Sequence, residues 1–153
     1  DMSVLQNIMV GGFLHISKTK DVEEKARKTA ELVGMTCDLD MKAASTTTVD
    51  KKKLEIARAL AVEPKLILLD EVMAGCNPQE KLELVDTCRK VRDSGVTIII
   101  IEHDIKTIMS LCDKIYILHR GEKLVEGTPE EVANDKRAVS AYLGEDFDNA
   151  ENK

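Results

Sequence analysis

Apolar positions along the chain follow two patterns. In several stretches they recur every three or four residues, which is the spacing of a helix that buries one face. At residues 66–69 and 96–101 they form unbroken runs, which suit strands covered on both faces, as in a parallel sheet. The predicted helices begin near Val4 and then cover residues 22–33, 51–62, 78–93, 105–112 and 134–143, with a loop at residues 37–50.

Cap residues bound several of these helices. Asp21 is a predicted N-cap, and Gly34 follows the end of the same helix, where glycine commonly closes a helix. Thr128 followed by Pro129 predicts another helix start. Gly144 lies behind the last helix, and the acidic tail from Glu145 is expected to fray.

Two shorter strands, residues 114–118 and 122–126, flank a predicted turn at Arg120-Gly121. Strands that alternate with helices in this way indicate an α/β fold. The first 44 residues contain only predicted helices and loops. We therefore expect a helical subdomain over residues 1–44 and a sheet-containing core over residues 45–153.

Composition narrows the function classes. The 153 residues are 43% hydrophobic and 33% charged, as in an ordinary globular protein. The formal charge of -6 and an aromatic content of 3% weigh against a nucleic-acid partner. The apolar run at residues 96–101 is too short to span a bilayer. Four cysteines without a CxxC pair indicate reduced structural thiols rather than a metal site.

The first candidate for chemistry is the pair Asp70-Glu71, which follows the apolar run at residues 66–69. In open α/β sheets ligands bind beyond the carboxyl ends of the strands. One carboxylate there can hold a hydrated Mg²⁺, and the other can orient or deprotonate a water. The alternative is that the chain simply returns to solvent at this point, where acidic residues are common.

The second candidate is His103, which follows the apolar run at residues 96–101. It comes 33 residues after Asp70 (103 − 70), a separation that suits one helical crossover to a parallel neighbour. His103 is then expected at the same sheet rim as the acidic pair. A hydrogen bond to a phosphate oxygen is the expected role, rather than metal ligation.

These residues carry a family resemblance. The stretches KLEIARAL (53–60), PKLILLDE (64–71), AGCNP (74–78) and IEHD (101–104) resemble the ATP-binding subunits of ABC transporters. The stretches GEK (121–123), EGTPEE (126–131) and AYLGE (141–145) are similar to the branched-chain amino-acid importer branch, as is the opening MSVLQNIMVG (2–11). The resemblance implies a partial P-loop NTPase (RecA-like) parallel-sheet core, an α-helical subdomain, and a C-terminal β-hairpin with helices.

The resemblance also implies residue roles, with ATP and Mg²⁺ as cofactors. Asp70 resembles the Walker B aspartate that holds Mg²⁺ through water. Glu71 resembles the catalytic glutamate that polarises the attacking water. His103 resembles the switch histidine that senses the γ-phosphate, and Asn77 lies in the D-loop at the dimer interface.

The same resemblance assigns a signature loop to the stretch before the third predicted helix. In the family this loop presents a helix N-terminus to the γ-phosphate of the partner's ATP. The usual Leu-Ser-Gly-Gly-Gln is replaced here, and the matching residues expected near that ATP are Thr47, Thr48, Val49 and Asp50. Val49 replaces a glycine, and Asp50 brings a negative charge. A threonine hydroxyl can still donate, and the neighbouring lysines, Lys51 and Lys52, can offset that charge.

Further departures concern the nucleotide itself. None of the eight glycines ends a GxxxxGK[ST] phosphate loop, and neither glutamine lies in a glutamine-loop context. Val72 stands where the family usually has proline, and Asn77 where aspartate is commoner. We therefore expect the chain to be the C-terminal portion of a longer subunit and inactive alone. Its strand at residues 66–69 should then be exposed and promote swapping, dimerisation or aggregation.

The expected partners follow from the resemblance. They are a second ATPase subunit, in a homo- or heterodimer, transmembrane permease subunits, and indirectly a solute-binding protein. The expected location is cytoplasmic, at the inner face of the cell membrane.

Two other functions stay open at this point. One is a docking module of a transporter that does not hydrolyse ATP, which the altered signature and missing phosphate loop favour. The other is a phosphoacceptor receiver domain, since residues 64–70 also resemble a strand that ends in a phosphorylated aspartate. That fold needs a lysine at the end of a later strand, where this chain has His103.

Overall fold

The structure is a computed structural model that describes residues 1–143. Its helices and strands, in chain order, are α1 (Val4–Gly12), α2 (Thr19–Leu32), α3 (Thr48–Leu60), β1 (Leu66–Asp70), α4 (Pro78–Asp93), β2 (Thr97–Ile101), α5 (Ile105–Leu111), β3 (Ile115–His119), β4 (Glu122–Gly127), α6 (Pro129–Asn134) and α7 (Lys136–Leu143). The predicted α/β class is confirmed. The predictions for Gly144 and for the tail from Glu145 lie outside the described residues.

The chain divides into two compact units, between His103 and Asp104. In the first unit, α1 and α2 pack on each other and on α3, and α3 packs on α4. The predicted boundary between a helical subdomain (residues 1–44) and a sheet-containing core (residues 45–153) stays a prediction. No helix in the described part of the chain is long and apolar enough to cross a bilayer.

Strands β1 and β2 form a parallel pair joined through α4, as the spacing predicted. Their register runs from Leu66 opposite Thr97 to Asp70 opposite Ile101. Because parallel strands place their carboxyl ends at one edge, the residues that follow Asp70 and Ile101 meet there. This edge is called the rim below.

The strand at residues 66–69 is covered on one face only, which differs from the two covered faces that such a run has in a complete parallel sheet and agrees with the exposure expected for this chain. Ile67 and Leu69 of β1 are buried, at 4% and 8% exposure, and contribute to the core of the first unit. The opposite face is open to solvent, because Leu68 is 69% exposed and its neighbour Ile99 is 51% exposed. We call this the open face; its exposed apolar residues are Leu66, Leu68, Ile99 and Ile101.

Strands β3 and β4 form an antiparallel hairpin in the second unit. Arg120 and Gly121 make the turn with φ angles of 50° and 84°, so both take the left-handed conformation that two-residue hairpins favour. The hairpin buries Ile115 and Val125 against Val132 of α6 and Ala138 of α7. The predicted turn and both strands are confirmed.

Helix starts match the sequence where a side chain caps them. Asn77 and Glu80 form a reciprocal capping box at Pro78, and Thr128 and Glu131 form another at Pro129. The prediction that Asp21 is the N-cap of α2 is wrong. That helix begins at Thr19 after Lys18, whose side chain makes no cap, and Asp21 lies in its first turn, where the helix dipole favours an acid.

Two other helix boundaries also differ from the prediction. Helix α3 begins at Thr48, three residues early, because the Thr47 side chain caps it within the predicted loop. The last helix, α7, begins at Lys136, two residues later than predicted, because Asn134 ends α6 and the backbone of Asp135 is extended, with φ −82° and ψ 117°. An extended residue interrupts the helical hydrogen bonds, so the two short helices can change direction there.

Candidate functional site

The rim brings together the acidic pair and the histidine predicted from the sequence. Asp70 ends β1, and Glu71 follows it; His103 lies two residues beyond the end of β2. His103 Nδ1 is 3.9 Å from Glu71 Oε1, and the two side chains are 75% and 59% exposed. The arrangement leaves both groups accessible to a ligand in solvent.

The backbone at Glu71 is strained. Its φ of 44° lies in the left-handed region, which is costly for a residue with a Cβ. The Glu71 N–H donates to the Ile101 carbonyl oxygen at 2.9 Å, so the strained residue is held against the end of β2. Strain of this kind persists only where the surroundings fix it, and it is frequent at functional positions.

The segment after Glu71 is a series of turns. The Ala74 N–H donates to the Glu71 carbonyl oxygen at 3.0 Å, and the Cys76 N–H donates to that of Met73 at 3.3 Å. The segment ends at Asn77, whose side-chain oxygen accepts the Glu80 N–H at 3.0 Å. The visible task of Asn77 is therefore to begin α4; its predicted D-loop role stays a prediction.

The predicted signature residues lie at the start of α3, where they bond mainly to one another. Thr47 Oγ1 accepts the Asp50 N–H at 3.2 Å and donates to Asp50 Oδ2 at 2.9 Å. Asp50 is only 4% exposed, and no group in the described residues bonds to its Oδ1. Thr48 is exposed and Val49 half-buried. Within residues 1–143, no hydrogen bond of Thr47 or Asp50 reaches the rim.

The two predicted ligand regions differ in their fit to Mg²⁺ and phosphate. No hydrogen bond or ion pair of the described residues engages the Asp70 carboxylate, and a single free carboxylate suits a Mg²⁺ that keeps several waters. No cluster of three or more His, Cys, Asp or Glu that could hold a metal ion gathers in the described part of the chain. The start of α3 fits an anion poorly, because Asp50 offsets the helix dipole there.

Burial governs the thiols near these regions. It raises the pKa of Cys37 and of Cys76, and nearby carboxylates, Asp50 and Glu80 respectively, add to the rise. A raised pKa leaves less thiolate at neutral pH, and the thiolate is the nucleophile. All four cysteines lie in the described part of the chain and are thiols, with no disulfide among them, as the sequence indicated.

The burial of one lysine near α3 was not predicted from the sequence. Lys53 is only 5% exposed. Its Nζ donates to the Gly34 carbonyl oxygen at 3.1 Å and to Glu83 Oε2 at 2.9 Å. The signal was available, since Lys53 shares a helix face with Ala57, four residues later.

A second residue that the sequence did not single out is Glu102. Its Oε1 accepts the Met73 N–H at 2.9 Å, which joins the end of β2 to the turns after Glu71. Its position between Ile101 and His103 gave no separate signal. The partner is a backbone group, whose position depends on turn geometry.

Comparison with known proteins agrees with this architecture. A solved structure of MJ1267, described as an ATP-binding cassette of an ABC transporter, superposes with a TM-score of 0.81 at 28% identity, over 94% of this chain and 64% of that one. CbiO1 from Clostridium perfringens, part of the ABC transporter complex cbiONQ, also gives a TM-score of 0.81, at 27% identity, over 90% of this chain and 55% of that one. The chain has the ABC ATPase fold.

Sequence relatives narrow the class. The high-affinity branched-chain amino acid transport ATP-binding protein LivG of Salmonella typhimurium is 34% identical, over 95% of this chain and 63% of LivG. The lipopolysaccharide export system ATP-binding protein LptB of Escherichia coli K12 is 37% identical over 71% of this chain and 45% of LptB. The family described as branched-chain amino acid ATP-binding cassette transporter matches residues 122–148.

The chain is therefore homologous to the ATP-binding proteins of ABC transporters, and the resemblance to their branched-chain amino-acid branch is confirmed. It spans 63% of the length of LivG. The receiver-domain alternative is not supported, since these relatives and structures share the ABC ATPase fold.

Proposed function

We propose that this chain supplies the Walker B and switch-histidine portion of an ABC importer's ATP-binding subunit. The observation that carries the proposal is the rim, where two parallel strands place Asp70, Glu71 and His103 together, with Glu71 and His103 3.9 Å apart. The homology to LivG over 95% of the chain supports the same conclusion.

In this proposal each rim residue has a distinct task. The Glu71 carboxylate accepts a hydrogen bond from a water, orients it for in-line attack on the terminal phosphate, and takes up the proton that the water loses as it attacks. The Asp70 carboxylate holds Mg²⁺ through water, and the His103 imidazole bonds a phosphate oxygen. Mg²⁺, when bound, neutralises charge on the phosphates. At the start of α3, the Thr48 hydroxyl is exposed and takes no part in the Thr47–Asp50 hydrogen bonds, so it is the group proposed to donate to the partner subunit's ATP.

The partners and substrate are proposed from the relatives. LivG is by name a branched-chain amino acid transport ATP-binding protein, so we infer branched-chain amino acids as the solutes. The partners would be a second ATPase subunit and transmembrane permease subunits, with a solute-binding protein acting through the permease. The subunit would then work in the cytoplasm, peripheral on the inner face of the membrane.

The test is complementation. The purified chain is titrated with a fluorescent ATP analogue and Mg²⁺, alone and mixed with a LivG amino-terminal segment that carries a GxxxxGK[ST] loop. We expect no binding by the chain alone at millimolar nucleotide, and Mg²⁺-dependent phosphate release by the mixture. The Glu71→Gln variant should lower that release by about 100-fold or more, because the general base is lost.

A second function is favoured by the start of α3. Buried Asp50 stands where the family would present free donors to phosphate. If the mixture binds nucleotide but releases no phosphate above the background that Glu71→Gln also shows, the chain is a docking module that does not hydrolyse ATP. Tight Mg²⁺-dependent binding by the chain alone would contradict both functions.

A further inference from the structure

Two hydrogen bonds join the segment after β1 to the end of β2. One is the bond from the Glu71 N–H to the Ile101 carbonyl oxygen, at 2.9 Å. The other runs from the Met73 N–H to Glu102 Oε1, also at 2.9 Å. Met73 is 1% exposed, so its N–H depends on this carboxylate rather than on solvent.

We propose that Glu102 is a positioning residue for the Glu71–His103 pair. Its carboxylate fixes the turn that carries Glu71, while its backbone leads directly into His103. The inference rests on the function proposed above, because it assigns a role in the reaction of that same rim.

The strain at Glu71 explains why the turn that carries it needs the hydrogen bond from Met73 to Glu102. A left-handed φ of 44° relaxes unless neighbouring bonds hold the residue. The bonds at Glu71 and at Met73 lie two residues apart and end on consecutive residues of the other strand end. If the Met73 bond is lost, the turn can move and Glu71 can relax away from His103.

The chemistry of the acceptor is specific enough to test. A glutamine at position 102 keeps a side-chain carbonyl oxygen of the same reach, so it can still accept the Met73 N–H. An alanine cannot. A role that depends on the hydrogen bond is therefore rescued by Glu102→Gln, whereas a role that depends on negative charge is not.

The first measurement uses the chain itself. Hydrogen exchange of a peptide spanning residues 71–77 is followed by mass spectrometry in the wild type, Glu102→Ala and Glu102→Gln. We expect exchange to be about tenfold faster in Glu102→Ala and within about threefold of wild type in Glu102→Gln. The matched control is Glu31→Ala, an exposed position on α2 of the same unit, which should leave this peptide unchanged.

The second measurement uses the complemented ATPase. Glu102→Ala should lower kcat about tenfold and leave KM for MgATP within about threefold, since Glu102 is expected to act on the position of Glu71 rather than on nucleotide binding. Glu102→Gln should restore kcat to within about threefold.

Several results would overturn the proposal. They are unchanged exchange in Glu102→Ala, faster exchange with full kcat, or loss of kcat that Glu102→Gln does not rescue. If the wild-type mixture does not hydrolyse ATP, the proposed function fails, while the exchange experiment still decides whether Glu102 holds the turn.

Discussion

The parallel pair β1–β2 and the antiparallel hairpin β3–β4 are both two-stranded, but their exposed faces differ. On the open face, Leu68 lies beside Ile99, so apolar side chains lie next to each other. On the hairpin, exposed Leu118 is paired with Lys123. Similarly, exposed Tyr116 pairs with Glu126, and Lys114 lies over its ring, 5.0 Å from the centroid.

The two surfaces differ in whether charged residues interrupt their exposed apolar area. Charged partners across the hairpin break up its exposed apolar area, so that surface suits water. The open face has no such interruption between Leu68 and Ile99, as expected for strands that an α/β sheet covers on both sides. We therefore expect the parallel pair to promote association in solution more strongly than the hairpin does.

The largest expected effect is on association of the isolated chain. The wild type should associate in solution through the open face, and the double variant Leu68→Lys with Ile99→Lys should lower the associated fraction about tenfold, because lysines oppose edge and face pairing. Leu118→Lys on the hairpin is the matched control and should change little. The measurement is light scattering during size-exclusion chromatography. A monodisperse wild-type monomer would break the comparison.

The second prediction separates the two faces of one strand. Ile67→Ala should lower the free energy of unfolding by about 2–4 kcal/mol, because it opens a cavity in the core. Leu68→Ala, at the next residue, should change it by less than about 0.5 kcal/mol, since that side chain is solvated. Urea unfolding at low protein concentration gives both values. Equal losses would show that the open face is covered in solution.

The smallest effect concerns acid and the hairpin. Hydrogen bonds from Lys114 and, to a lesser extent, from Lys123 lower the pKa of Glu126 from 4.5 to about 2. Because the folded-state pKa is depressed, the stabilisation is present above pH 4.5 and is lost as the pH falls toward about 2. Its size is small, since the group is exposed.

An NMR titration of the Glu126 carboxyl measures this effect directly. Lys114→Met should move its midpoint back toward the ordinary value of 4.5. The four residues of the open face are apolar and carry no titratable group. Hydrogen exchange of their backbone amides should therefore show no transition at the pH where Glu126 titrates. A Glu126 midpoint unaffected by Lys114→Met would contradict the pairing.

Sequence reasoning worked where local chemistry decides structure. The helix Pro78–Asp93 was predicted at both ends, because Pro78 favours the first turn of a helix and Ser94-Gly95 ends it. The meeting of Glu71 and His103 followed from two apolar strands and the length of one crossover. These features need only the order of residues and the geometry of parallel strands.

Features that depend on distant backbone were not predictable in this way. The helix face that Lys53 shares with Ala57 indicates its burial, but its partners, the Gly34 carbonyl and Glu83, are distant in sequence and were not predictable. Glu102 bonds to Met73, 29 residues away, across turns whose shape no local pattern specified. The open face, too, reflects which surfaces are covered rather than which residues form the strand.

The left-handed backbone at Glu71 makes this position a trade-off between stability and activity. Glycine adopts that conformation without the Cβ penalty, so Glu71→Gly should relieve strain of roughly 1 kcal/mol while removing the carboxylate. Selection for fold stability alone would favour glycine there. A glutamate kept at such a site is the kind of residue that a stability-driven redesign would replace first, and its replacement would give a sturdier protein without the chemistry of the rim.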